Sequence, residues 1–161
     1  MNLHLLNTGS SDFIQQLRAI EEKKTFVSKS YTKDMMALYI SDVKNMGVDI
    51  ELKTERSPQV IAHFIEQFAT FEIKDVPKEP DSMWFYKAWT AMESYFKLEG
   101  TGFRTPKNFT LDLEQKAILR AGNKVAELAH FDIGVYMICL CSRTPFARED
   151  IQINNHGWGE G

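Results

Sequence analysis

The sequence predicts an α+β fold: an antiparallel sheet packed against a long buried helix. Three observations lead there. Short strand-type runs alternate with helical periods along the chain. Pairs of these runs are joined by turn-type residues, as in β-hairpins. One segment, residues 84–96, carries large apolar side chains almost all round a helix, which marks a helix inside a protein rather than on its surface.

The elements follow in order. Residues 2–7 suit a short strand. Ser10 or Ser11 can cap a helix bearing Phe13, Ile14, Leu17 and Ile20 on one side, with Lys23 and Lys24 at its end, where cations are favoured. Residues 25–30 and 34–41 read as a hairpin about the polar turn Tyr31-Thr32-Lys33. Asn45-Met46-Gly47 then turns the chain into a strand over 48–51. Ser57-Pro58 opens a helix through about Phe68, with Val60, Ile61, Phe64, Ile65 and Phe68 at helical spacing. After a loop marked by Pro77 and Pro80, Asp81 or Ser82 starts the long helix, which ends near Gly100. Residues 109–113 alternate as a strand. Residues 116–121 and 124–130 flank the turn Gly122-Asn123. The apolar run 133–141 suits one central strand. The segment from Asn154 is polar and Gly-rich and reads as a loose tail.

Composition narrows the function. The chain has 161 residues, enough for one domain, with 43% hydrophobic and 25% charged residues, which excludes disorder and low complexity. A formal net charge of −3 gives no dense basic surface for nucleic acid. No apolar run approaches a membrane span, and residues 1–6 have neither basic flank nor cleavage site, so they do not read as a signal peptide. Cys139 and Cys141 sit two apart in an apolar strand. They read as buried free thiols, which places the protein in a reducing compartment, the cytoplasm. His4, His63, His130 and His156 are scattered, with no ligand spacing between them, and read as ordinary surface or core histidines.

Two segments carry chemistry. On the strand Gly47-Val48-Asp49-Ile50-Glu51, Asp49 and Glu51 share a face while Val48 and Ile50 point to the core. Two carboxylates that close either flank a hard cation or form a solvated strand end. On the long helix, Glu93 and Lys97 lie four apart on an otherwise apolar surface. They form either an ion pair at a wet edge or part of a site.

Together the two segments resemble a known family. Gly-Val-Asp-Ile-Glu at 47–51, followed about forty residues on by Trp89-Thr90-Ala91-Met92-Glu93-Ser94-Tyr95-Phe96-Lys97 and Gly100-Thr101-Gly102, is similar to the 4′-phosphopantetheinyl transferase superfamily. The likeness is strongest to its larger, surfactin-synthetase-activating type. Phe26-Val27-Ser28-Lys29-Ser30 is similar to that family's Ser-His-Ser hairpin, and the likeness covers about residues 25–145.

The resemblance implies transfer of the phosphopantetheine arm of coenzyme A to a serine of an acyl or peptidyl carrier protein. It implies a magnesium ion on Asp49, Glu51 and Glu93. Glu93 would take the serine proton, and Lys97 would lie against the phosphate. Ser28 and Lys29 would contact coenzyme A. It also implies one domain over 1–161, with a shortened first half (1–42), a second half (43–153) and a tail (154–161). The missing part of the first half would be replaced in part by Lys23 and Lys24, or by self-association. The chain departs from the family pattern at two positions. Lys29 stands where relatives have histidine, and Met92 stands where they have lysine.

Overall fold

The computed structural model describes residues 2–22, 26–41, 46–67, 72–100 and 108–156. Lys23, Lys24, Asn45, Phe68, Thr101 and Gly102, named above, lie outside these residues, as do residues 157–161. The described elements form four layers: a helix, two sheets, and a pair of helices.

The first sheet has the order β10-β1-β3-β2. It comprises β1 (Asn2–Asn7), β2 (Phe26–Thr32), β3 (Met35–Ser41) and β10 (Gln152–His156). The second has the order β4-β9-β8-β7-β6-β5. It comprises β4 (Met46–Leu52), β5 (Glu72–Ile73), β6 (Thr110–Asp112), β7 (Ala117–Arg120), β8 (Asn123–Ile133) and β9 (Tyr136–Ser142). Pairing is antiparallel except β1 with β10 and β5 with β6, which run parallel.

The alternation of each strand decides which layer it feeds. Leu3, Leu5, Ala37 and Tyr39 from the first sheet meet Val48, Ile50, Ile138 and Leu140 from the second, forming a core between the sheets. Leu6, Leu38 and Ile40 point the other way, onto Ile20 of α1 (Phe13–Glu21). Met137, Cys139 and Cys141 point away from the inter-sheet core, onto α2 (Pro58–Gln67) and α3 (Ser82–Glu99). Both cysteines are free and buried there.

α3 is the long helix. Nine of its eighteen residues are buried. Asp81 caps its start, the carboxylate accepting from the Trp84 N–H at 2.8 Å. Gly100, at φ 70°, ends it in the left-handed conformation.

Several expectations from the sequence are corrected. β2 runs on through Tyr31 and Thr32, so the hairpin turns at Lys33-Asp34, with Lys33 at φ 45°. Met46 and Gly47 belong to β4 rather than to a turn before it, because they pair with Ser142 and Cys141 of β9. The β7–β8 turn sits at Ala121-Gly122, both at positive φ, one residue before the expected Gly122-Asn123. The apolar run 133–141 is not one strand. Gly134, at φ 58°, reverses the chain, so Ile133 closes β8 and Tyr136 opens β9. Asn154, Asn155 and His156 are not loose, since they belong to β10. β10 supplies the outer edge of β1 with a parallel partner, satisfying backbone groups that would otherwise be left open. No helix among the described residues is long and apolar enough to cross a membrane.

Candidate functional site

β4 and α3 meet at Gly47. A Cβ there would lie 2.0 Å from the Ser94 carbonyl oxygen and 2.8 Å from the Leu98 nitrogen. Both are backbone atoms, so only glycine admits this approach. The strand therefore lies directly against the helix. Its residues of the same parity, Asp49 and Glu51, face the half-turns of α3 that carry Glu93 and Lys97.

Asp49 is 3% exposed. Its Oδ1 accepts from Lys97 Nζ at 3.1 Å and from the Ser30 hydroxyl at 3.1 Å. Its Oδ2 is buried without a hydrogen-bond partner among the described residues. Burial raises the Asp49 carboxyl to about 7. The Lys97 ammonium works against this, while the Glu51 and Glu93 carboxylates push it further up. Glu93 is also raised, by burial first and by Glu51, with Lys97 opposing. The three carboxylates are thus close enough to feel one another, and one ammonium does not balance them.

Glu51 is held by α3 as well, since Trp89 donates from Nε1 to Glu51 Oε1 at 3.1 Å. Trp89 and Glu93 are four apart, on one side of the helix. The Trp89 contact is a site feature to which the sequence reading gave no role, although Trp89 opens the helix motif quoted above.

β2 supplies the third wall. Ser28 and Ser30 point toward the free edge of β4. The Val48 N–H donates to Ser28 Oγ at 3.0 Å, and the Ile50 N–H donates to Ser30 Oγ at 3.2 Å. Two serine hydroxyls thus take the place that a neighbouring strand's carbonyls would fill. Ser30 was not among the expected site residues, yet its hydroxyl touches Asp49 directly. The signal was present in the period of two, which puts Ser30 on the side of Ser28.

Lys29 lies between them and faces the opposite way, with its ammonium 3.6 Å from Glu21 of α1. The structure therefore brings Ser28, Asp49, Glu51, Glu93 and Lys97 together and leaves Lys29 on the outer side. Met92 is wholly buried in the helix-side core. A lysine at that position would have to extend out of the packed layer.

As the side chains stand, no three His, Cys, Asp or Glu residues among those described gather closely enough to grip a metal ion. Their hydrogen bonds explain this: Glu51 is drawn to Trp89, and Asp49 to Lys97 and Ser30. The donor chemistry nevertheless fits a hard divalent cation. The set is all oxygen, it carries more negative charge than Lys97 offsets, and it includes the orphaned Asp49 Oδ2. Beside it lies a cleft of about 260 Å³ lined by Glu51, Arg56, His63, Phe64, Tyr86 and Trp89.

No curated protein matches the chain. The model of one family, the 4′-phosphopantetheinyl transferase superfamily, matches residues 45–148. That span holds β4 and α3 entire, with Asp49, Glu51, Glu93 and Lys97, and about two thirds of the sequence. The chain belongs to the 4′-phosphopantetheinyl transferase superfamily.

Proposed function

We propose that the protein transfers the 4′-phosphopantetheine group of coenzyme A to a serine of an acyl or peptidyl carrier protein, releasing adenosine 3′,5′-bisphosphate. The observation that carries this reading is the cluster of mutually repelling carboxylates on β4 and α3, with one buried oxygen left unbonded. Asp49, Glu51 and Glu93 would hold a magnesium ion. When bound, the ion supplies positive charge for the pyrophosphate of coenzyme A.

The chain's own groups have separable tasks. Glu93 takes the proton of the attacking serine hydroxyl. Its pKa is raised, by burial first, which makes it a stronger proton acceptor than a solvated carboxylate. The serine oxygen then forms its bond to the phosphorus next to pantetheine, and the bond from that phosphorus to the bisphosphate oxygen breaks. Lys97 stands beside the cluster with its ammonium within 3.1 Å of Asp49. It offers a cation to the leaving bisphosphate once Asp49 is neutralised otherwise. Ser28 and Ser30 fix the register of β4 and so the position of Asp49.

A second reading is a relative that binds coenzyme A or a carrier protein without transfer. It is favoured by the outward turn of Lys29 onto Glu21 and by the burial of Met92. One experiment separates the two. The protein is mixed with apo carrier proteins, coenzyme A and magnesium, and the carriers are weighed by mass spectrometry. Transfer adds one phosphopantetheine to a carrier. Coenzyme A binding with unmodified carriers supports the second reading and rejects the first.

A further inference from the structure

On the flank of α3 away from Glu51 lies a larger cleft, about 420 Å³, with Met83, Lys87, Lys116, His130, Met137 and Arg148 in its lining. It adjoins a second cavity of about 290 Å³ that shares Lys116 and Arg148. Nothing in the proposed transfer uses either of them.

The charge arrangement needs an explanation. Two lysines act on a single imidazole, and an arginine stands at the backbone of the same residue. Lys87 and Lys116 are near enough to His130 that their charge disfavours its protonation. Arg148 donates from Nε to the His130 carbonyl at 3.1 Å, and its guanidinium lies 4.5 Å from the centre of the Phe131 ring. Among the described residues, none of the three forms an ion pair. The acids nearby are occupied: Asp132 is paired with Lys53, and Glu127 with Lys124. Glu149 is the one further carboxylate in the lining.

Gathering three cations in a chain of net charge −3 costs repulsion that an anion would relieve. The imidazole is itself set in place. A carbonyl can only accept, so His130 Nε2 must donate to the Lys87 oxygen at 2.9 Å, which leaves Nδ1 with the lone pair. Met83 and Met137 add apolar wall and floor to this charged mouth. A cationic rim over an apolar floor suits a phosphate group carried on an organic body.

We propose that this cleft, built by Lys87, Lys116 and Arg148 around His130, is a binding site for a phosphate-bearing ligand, separate from the carboxylate cluster across α3. The site stands independently of the transfer reaction.

The test uses the full chain without magnesium. Phenyl phosphate and inorganic phosphate are each titrated while the His130 ring signal is followed by NMR. A saturable shift is expected, with the pKa of His130 rising as the anion offsets the lysines. Lys87→Gln/Lys116→Gln, both at exposed positions, should weaken the response by about ten-fold or more, as expected for two lost charge-assisted bonds. Lys97→Met should leave it unchanged, which separates this site from the carboxylate cluster. Tighter phenyl phosphate assigns an organic phosphate, and equal affinities assign the free ion; either result supports the site. A His130 signal that never moves, or one that moves equally in the double variant, overturns the proposal.

Discussion

Asp49 sits nearly out of water, with one oxygen engaged and the other alone. Burial alone would keep such a group protonated. The Lys97 ammonium only partly reverses that. Glu93, less buried, is the residue suited to move a proton. Glu93→Gln is therefore expected to abolish transfer while leaving the melting temperature within a few degrees of wild type. Carrier mass spectrometry with a thermal melt checks both, and unchanged turnover would remove Glu93 from its role.

Gly47 is the second residue on which the site depends. Gly47→Ala drives a methyl into backbone atoms of α3 and should cost about 3 kcal/mol, at the upper end for overpacking, read by urea unfolding. Asp49 and Glu51 were legible in the sequence because a strand's period of two is strict. The outward face of Lys29 follows from the same rule, but the family motif drew attention to the residue type ahead of the side it occupies.

Among the elements, β2 and β4 are edge strands of different sheets, and they meet through side chains instead of a ladder. The Ser30 hydroxyl accepts from Ile50 and donates to Asp49, so Ser30→Ala leaves a buried donor and a buried acceptor short of a partner. The expected loss is about 1–3 kcal/mol by chemical denaturation, with transfer activity reduced in proportion to the displaced Asp49. A stability unchanged within error would mean that the contact contributes nothing.

No sequence pattern announces such a contact, because it joins residues about twenty apart through a cross-sheet approach. The helix ends were legible, since Asp81 and Gly100 act locally. The break at Gly134 was not. Apolar residues flank it on both sides, and hydrophobic content alone does not distinguish one long strand from two paired short ones.

At the scale of the whole molecule, the layers hold a neutral imidazole half-buried against α3. Burial depresses His130 to about 4. In the unfolded chain an ordinary histidine takes up a proton near 6.5. Between those values the unfolded state binds more protons than the folded one. His130 therefore contributes stability that is present above about pH 6.5 and is lost as pH falls toward 4. Melts of wild type and His130→Gln at pH 7.5 and pH 5 should show a smaller drop in the variant; an equal drop would assign the acid sensitivity elsewhere.

The layered arrangement itself was only half legible. Strand types and the buried helix follow from periodicity. The split into two sheets depends on which edges meet, and β10 joins β1 from the far end of the chain through polar residues with no strand signature.

The claim that Asp49, Glu51 and Glu93 share one cation is tested most directly by counting the ion. Manganese, a paramagnetic stand-in for magnesium, is titrated into the full chain and bound metal is read by electron paramagnetic resonance. The account predicts one ion per chain in wild type, with affinity lost in Asp49→Asn and sharply reduced in Glu93→Gln. Binding that is absent in wild type, or identical in all three proteins, would contradict it.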